Sequence, residues 1–175
     1  MVRQAHHPER SQGTDRMPFI IDGYNLLHFI QKASEDFGAI TDVRLCRVIS
    51  GYLKLIDEKG EVIFDGTGPR DKGGFDNISN LEVFFAGLRS DADTVIEDKI
   101  KANTAPKRLT IVSSDRRLRD AARKRKATVV KSQVFWNNVQ KQLSRKNKVK
   151  EPLAKREGLS ESETEQWLKI FDLEQ

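Results

Sequence analysis

The chain has 175 residues, of which 37% are hydrophobic and 33% are charged, a composition that suits one globular domain of ordinary size. Its formal net charge is +5, and no stretch approaches the roughly 20 consecutive apolar residues that a membrane-spanning helix needs. Cys46 is the single cysteine, which excludes an internal disulfide and a cysteine-based zinc site. Because residues 1–16 also lack the apolar core of a signal peptide, we expect a soluble, cytoplasmic protein.

The charge is distributed unevenly along the chain. Residues 116–150 contain 13 Lys/Arg and one acidic residue, so this segment carries +12. Residues 1–115 carry −3 (15 basic, 18 acidic), and residues 151–175 carry −4 (3 basic, 7 acidic). Such a basic segment favours a polyanionic partner, RNA or DNA, because each neutralised phosphate releases condensed counterions. The alternative is a solvated helix face followed by a basic linker.

Strands and helices are predicted to alternate along most of the chain. In chain order the pattern indicates a strand at 18–22, a turn at 23–25, a helix from Val43 that ends before Gly60, a strand at 61–65, a Gly-rich loop at 66–74, a strand at 81–85, a helix at 91–102, a strand at 109–112, a helix at 116–126, a strand at 128–130 and a helix from Ser132. Alternation of this kind predicts an α/β fold, a three-layer sandwich with a mostly parallel sheet of about five strands. The connection between the second and third strands contains no clear helix and is the exception in this pattern.

Four segments of different character are expected. Residues 1–16 have no apolar periodicity and are predicted to be a disordered extension, with Met17 as an alternative start just before the first strand. Residues 17–143 form the predicted domain, and residues 144–158 a basic linker. Residues 159–175 have the pattern of an amphipathic helix, which either docks on the domain or serves as a detachable partner motif.

Acidic residues stand where the predicted strands end. Asp22, Asp65 and Asp115 each close a strand, and Asp93 opens the helix after the third strand. In open parallel sheets ligands bind at the carboxyl edge, so these carboxylates are expected to converge there. Glu97 lies four residues after Asp93 and shares its helix face. Hard oxygen ligands without His or Cys favour Mg²⁺ or Mn²⁺, a site suited to phosphodiester hydrolysis, although each acid alone could be a cap.

Four short motifs resemble, in the same order, those of a known family. They are F-I-I-D-G-Y-N at 19–25, V-I-F-D at 62–65, A-D-T-V-I-E at 92–97 and V-S-S-D-R at 112–116. They are similar to the D-G-x-N opening, the second strand, the A-D-x-x-I-E helix start and the S-D-R strand end of the YacP-like branch of NYN domains, which are PIN-like ribonucleases. The resemblance covers about residues 17–143. Thr94 departs from it, since the family often has an acid there, and this lowers the local negative charge.

The resemblance implies a metal-dependent endoribonuclease acting on single-stranded RNA, with Mg²⁺ or Mn²⁺ and no organic cofactor. Asn25 would hydrogen-bond a phosphate or position an acid, and Glu97 would be a fourth acid that holds metal-bound water. Some members of this branch act on ribosome-associated messenger RNA, which makes the ribosome a candidate partner. The metal-binding acids carried over from the resemblance are Asp22, Asp93 and Asp115.

Basic residues near the predicted edge are candidates for RNA binding. Arg116, beside Asp115, is a supporting candidate that would contact the scissile phosphate or orient the aspartate, and Asp65 is a supporting acid. Contacts to phosphates would give affinity without sequence choice. The candidates for these contacts are Arg70 and Lys72 in the Gly-rich loop, and Arg117, Arg119, Arg123, Lys124, Arg125 and Lys126 in the basic helix.

Two other functions remain as alternatives to a nuclease. The first is an RNA-binding module without catalysis, in which the acids only cap turns and helices. The second is a phosphomonoesterase. F-D-G-T at 64–67 superficially resembles the D-x-D-G-T motif of haloacid-dehalogenase-like enzymes. Ile63 occupies the position of the nucleophilic aspartate in that motif, so no aspartyl-phosphate can form.

Overall fold

A computed structural model describes residues 18–33, 40–76 and 78–150, with residues 146–150 described by their backbone alone. No helix in this part of the chain is both long and apolar enough to cross a membrane. Two short 3₁₀ turns lie at Gly73–Phe75 and Pro106–Arg108. The strands and α-helices are β1 (Phe19–Asp22), α1 (Gly23–Ala33), α2 (Asp42–Leu55), β2 (Gly60–Phe64), β3 (Leu81–Phe85), α3 (Ala92–Ala102), β4 (Thr110–Val112), α4 (Arg116–Lys124), β5 (Thr128–Val130) and α5 (Ser132–Lys150).

The strands form one parallel sheet of five strands in the order β3-β2-β1-β4-β5. The central strand β1 pairs with β2 and β4, so that Phe19 stands opposite both Gly60 and Thr110. The predicted parallel sheet is therefore confirmed. Because every strand runs in the same direction, all five carboxyl ends meet at a single edge of the sheet.

Helices cover both faces of the sheet. Ile20, Ile63 and Ile111 belong to one buried cluster with apolar residues of α3 and α4. Strand side chains alternate between faces, so Phe19 points to the opposite side from Ile20. There its ring lies 6.1 Å from that of Phe135, the first buried aromatic residue of α5. The predicted three-layer α/β sandwich is confirmed.

A helix that the sequence pattern did not indicate follows β1 directly. Residues 23–25, predicted as a turn, form the first turn of α1, which buries Leu26, Leu27 and Ile30. This helix starts so close to the sheet that a Cβ atom on Gly23 would overlap the ring of Phe64. Glycine therefore allows the chain to turn from strand into helix without moving a fully buried aromatic residue.

The connection between β2 and β3 has no α-helix among its described residues, as the sequence pattern indicated. It contains a Gly-rich loop that packs against the ring of Phe85. A Cβ atom on Gly68 would lie 2.6 Å from that ring, and Gly68 has a positive φ of 71°. The Lys72 ammonium lies 5.3 Å from the same ring centroid. The loop is therefore held against the carboxyl end of β3.

The last described helix is longer than predicted. A linker was expected from residue 144, but α5 continues through Lys150. Lys, Arg and Gln are good helix formers, so a basic segment adjoining a helix extends it readily. Packing divides the described residues into two units, with the boundary between Val139 and Gln140, and the sheet lies in the first. The predicted extension at 1–16, the linker beyond residue 150 and the C-terminal helix at 159–175 lie outside the described residues.

Candidate active site

Asp22, the last residue of β1, is the most buried acid at the carboxyl edge. Its side chain accepts hydrogen bonds from the Asn25 backbone N–H (3.2 Å) and from the Ser113 hydroxyl (2.9 Å). The residue is only 6% exposed. The pKa of Asp22 is raised from 3.8 to about 6, chiefly by burial and in smaller part by the negative charges of Asp93 and Asp65, while its two hydrogen bonds act in the opposite direction. A carboxylate held in this way has a high affinity for a proton or a cation.

Three serines that were not among the predicted site residues form hydrogen bonds beside Asp22. The Asn25 side-chain oxygen accepts hydrogen bonds from the Ser114 backbone N–H (3.0 Å) and the Ser132 hydroxyl (2.7 Å). Ser113, fully buried, accepts the Asp115 backbone N–H at 3.0 Å while donating to Asp22. Asn25 therefore orients the site through its oxygen. The sequence signal for these contacts was the serine pair directly before Asp115.

Two acids bind the first backbone N–H groups of α3. Asp65 is exposed, and its side chain accepts the Ala92 N–H at 2.6 Å. Asp91 is the N-cap and accepts the Thr94 N–H at 2.6 Å. Negative charge is favourable at a helix N-terminus, so both side chains have a structural function there.

Asp93, in the first turn of α3, lies among the acids. The structure shows no hydrogen bond to its carboxylate within the described residues. Burial raises the pKa of Asp93, and the charges of Asp115, Asp91 and Asp65 raise it further, while Arg117 lowers it. Asp93 thus interacts electrostatically with Asp65 and Asp115, and Asp22 interacts with Asp93 and Asp65.

Asp115 is the N-cap of α4. Its Oδ1 atom accepts the backbone N–H groups of Arg117 (2.7 Å) and Leu118 (3.2 Å). In the described ranges, no three Asp, Glu, His or Cys side chains are close enough together to hold one metal ion as placed. Asp22, Asp65 and Asp115 instead accept hydrogen bonds from nearby protein donors. The donor set, consisting of carboxylates, has the chemistry that Mg²⁺ or Mn²⁺ prefers.

Glu97, expected as a fourth acid, pairs with cations instead. Its Oε1 atom lies 2.6 Å from Arg117 Nε, and its Oε2 atom lies 3.7 Å from Lys101 Nζ. The hydrogen bond with Glu97 also raises the pKa of Arg117 above its usual value. The arrangement sets Arg117 beside the acidic edge.

Arg116 is exposed and pairs with an acid of its own helix. Its side chain is 89% exposed, and its Nε atom lies 3.7 Å from Asp120 on the following turn of α4. Consecutive helix residues face different directions, about 100° apart, so only one of Arg116 and Arg117 can face α3. The residue that does so is Arg117.

The other candidate RNA-binding residues are distributed along α4 and the Gly-rich loop. Several of their side chains contact the protein: Arg119 donates to the Asp115 carbonyl, Arg123 to Asp120 and Arg125 to the Asn103 carbonyl. Lys72 lies over Phe85. The exposed residues among the candidates are Arg70, Lys72, Arg117, Arg123, Lys124, Arg125 and Lys126.

The comparisons with known proteins agree with this architecture. Rae1 (YacP) from Bacillus subtilis has a TM-score of 0.61 at 20% sequence identity, covering 88% of this chain and 91% of that chain. A mutant of the same Bacillus subtilis protein gives 0.56 at 19% identity, covering 79% and 88%. At this identity the likeness shows a shared fold. None of the curated proteins matches the chain.

A family model decides the classification. The model of the YacP-like NYN domain matches residues 19–172. This range includes all five strands and every acid of the carboxyl edge. The chain therefore belongs to the YacP-like NYN domain family, a family of PIN-like nucleases.

Proposed function

We propose that this protein is a metal-dependent endoribonuclease that hydrolyses phosphodiester bonds of single-stranded RNA. The observation that carries the proposal is the crowding of acids at one sheet edge. The pKa of Asp22 is raised to about 6, chiefly by burial, and the charges of Asp93 and Asp65 add to this rise. A site that retains repelling carboxylates costs folding free energy, and such a cost is typical of a functional site.

Three of these acids would hold the divalent cation: Asp22, Asp93 and Asp115. When bound, Mg²⁺ or Mn²⁺ would lower the pKa of a water molecule and would neutralise charge on the phosphate oxygens. Ser113 fixes the orientation of Asp22 by donating to its Oδ2 atom. Asn25 uses its oxygen within the fold, which leaves its side-chain N–H₂ group to donate to a phosphate. Glu97 is not in this set, because both of its oxygens pair with cations.

RNA is the substrate that the surroundings of the edge favour. The helix that Asp115 caps carries exposed cations, among them Arg116 and Arg123. Exposed cations such as these bind the phosphates of a nucleic acid whatever its base sequence. A single strand fits an open edge because its phosphates can approach the acids without a second strand. Ribosome-associated messenger RNA belongs to the same substrate class and is the second substrate to test.

The test is incubation of labelled single-stranded RNA with Mn²⁺, Mg²⁺ or EDTA. We expect wild-type protein to shorten the RNA only with a divalent cation. Asp22→Asn and Asp93→Asn should abolish cleavage while retaining RNA binding. Asp98→Asn, an exposed substitution on the same helix as Asp93, is the matched control and should cleave as wild type does. Cleavage in EDTA, or none with either metal, would contradict the proposal.

One observation favours a second function, an RNA-binding module without catalysis. The acids in the described residues do not meet around one ion as placed, and Asp115 and Asp65 bind helix N-termini. This alternative predicts RNA binding with no metal-dependent cleavage in any variant. Release of phosphate from small esters without shortening of RNA would instead indicate a phosphomonoesterase.

A further inference from the structure

We propose that the groove between α3 and α4 is the track of the RNA backbone beside the acidic edge, and that Glu97 positions Arg117 at its entrance. This inference rests on the proposed function and adds to it a location for the strand and a role for an ion pair. It assigns Glu97 to the binding of phosphate through Arg117 and not to the binding of metal.

The groove has the shape and charge that a phosphate backbone needs. It has a volume of about 510 Å³ and an apolar floor that includes Ile100 and Ala121. Its walls carry four cations and two acids: Lys101, Arg117, Lys124, Arg125, Glu97 and Asp120. The groove therefore has an excess of positive charge over an apolar surface.

Both acids of the groove are already neutralised by cations of the protein. Glu97 pairs with Arg117, and Asp120 lies 3.2 Å from Arg123. Lys124 forms no ion pair within the part of the chain that the structure describes. Arg125 donates to the Asn103 carbonyl, a neutral group, and so retains its full charge. The groove can accept an anion without first displacing an acid from these two cations.

Arg117 connects this groove to the acidic edge. It interacts electrostatically with Asp93 and Asp91 as well as with Glu97. The Glu97 hydrogen bond uses its Nε atom, and the described residues accept no hydrogen bond from its terminal nitrogens. Those nitrogens form the planar fork that binds two phosphate oxygens at once. Through this fork Arg117 would bind a backbone phosphate beside the acidic edge.

Glu97 is suited to hold the guanidinium in this place. Its side chain is 20% exposed, whereas that of Arg117 is 54% exposed, so the acid is the more fixed partner. Lys101, one turn further along α3, lies 3.7 Å from the other oxygen. The cations of the groove continue along α4 from Arg117 to Lys124, a distance of about 10 Å at the helical rise, and Arg125 follows as the C-cap. This length accommodates the phosphates of a few nucleotides.

The first experiment measures RNA binding in EDTA, where no metal-dependent cleavage occurs, by fluorescence anisotropy at several salt concentrations. We expect Arg117→Ala to weaken binding about tenfold, the loss of one charge-assisted contact. It should also reduce the slope of log affinity against log salt by about 0.7. Arg47→Ala, an exposed substitution on α2, is the matched control and should change neither quantity.

The second experiment is a double-mutant cycle on single-turnover cleavage with Mn²⁺. We expect Glu97→Ala to lower the cleavage rate while leaving the affinity for Mn²⁺ unchanged. If Glu97 acts through Arg117, Glu97→Ala has no further effect in an Arg117→Ala background. The control is Glu61→Ala. Glu61 also forms an ion pair with a residue of α3, Lys99, at 2.7 Å, but it lies near the start of β2, at the end of the strand away from the acidic edge. Arg117→Lys and Glu97→Gln replace the alanine variants where thermal unfolding shows loss of folding.

The outcomes separate this inference from the proposed function. Additive effects in the cycle, or a loss of Mn²⁺ affinity in Glu97→Ala, would overturn the positioning role. Cleavage and binding by Arg117→Ala equal to wild type would overturn the track while leaving the nuclease intact. Absence of cleavage by wild type, with Arg117 still needed for RNA binding, would refute the nuclease and support the track.

Discussion

Asp22→Asn is expected to make the protein more stable while removing its proposed activity. The Asp22 carboxyl is buried, and its pKa of about 6 exceeds the value of 3.8 that it has when exposed. Above pH 6 the folded protein must keep this carboxylate charged in a poorly solvated place. An asparagine of nearly the same shape removes the charge and the cost of burying it.

The size of the gain follows from the pKa difference. One pKa unit corresponds to about 1.4 kcal/mol, so a rise from 3.8 to about 6 destabilises the folded state by about 3 kcal/mol at pH 7. Asparagine keeps one oxygen acceptor but cannot serve both Asn25 and Ser113, which costs about 1 kcal/mol. The net gain is about 2 kcal/mol, or about 6 °C in Tm for a chain of this length.

The assay is thermal or urea unfolding of both proteins in EDTA from pH 4 to pH 8, with the exposed Asp98→Asn as control. Asp22 has a pKa of 3.8 in the unfolded chain and of about 6 in the folded protein, so between these values the folded wild type binds more protons than the unfolded chain does. The stability of wild type therefore falls as the pH rises from about 4 to about 6. The stability of the variant relative to wild type should therefore rise over this window, from a deficit of about 1 kcal/mol below it to a gain of about 2 kcal/mol above it. A variant less stable than wild type at pH 7, or a difference independent of pH, would refute the reasoning.

Two further substitutions test how the edge is held together. Asn25→Ala should cost about 2 kcal/mol of unfolding free energy, because the Ser114 N–H and the Ser132 hydroxyl lose their acceptor; unchanged stability in a denaturant titration would contradict this. Gly23→Ala should cost about 1–3 kcal/mol, because its Cβ atom meets the Phe64 ring. We expect Gly23→Ala to lower the unfolding free energy less in a Phe64→Leu background than in wild type. Equal losses in both backgrounds would show that the ring is not the cause.

Much of the fold was predictable because its signals are local. The predicted strands begin and end within two residues of those observed, since short apolar runs closed by acids and glycines mark them clearly. The helix α1 was missed because its apolar residues, Leu26, Leu27 and Ile30, follow the strand without an intervening loop. Only packing against Phe64 shows that the Gly23 turn continues into a helix.

The candidate site was predictable as a set of residues but not as an arrangement of side chains. A parallel sheet collects the residues that follow its strands, so the placement of Asp22, Asp65 and Asp115 at one edge of the sheet could be predicted from their positions. Their hydrogen bonds could not be read in this way. Asp115 faces the N-terminus of α4, and Asp22 faces Ser113, a residue 91 positions away in sequence.

By itself, the sequence determined the class of the fold, the acids at the sheet edge and the density of positive charge after residue 115. These follow from periodicity and composition, which need no knowledge of distant contacts. Only the tertiary structure decided that Glu97 meets Arg117 and that Arg116 lies beside Asp120. A helical repeat assigns residues to the faces of one helix, but the partner of each face is decided by how α3 and α4 pack on the sheet.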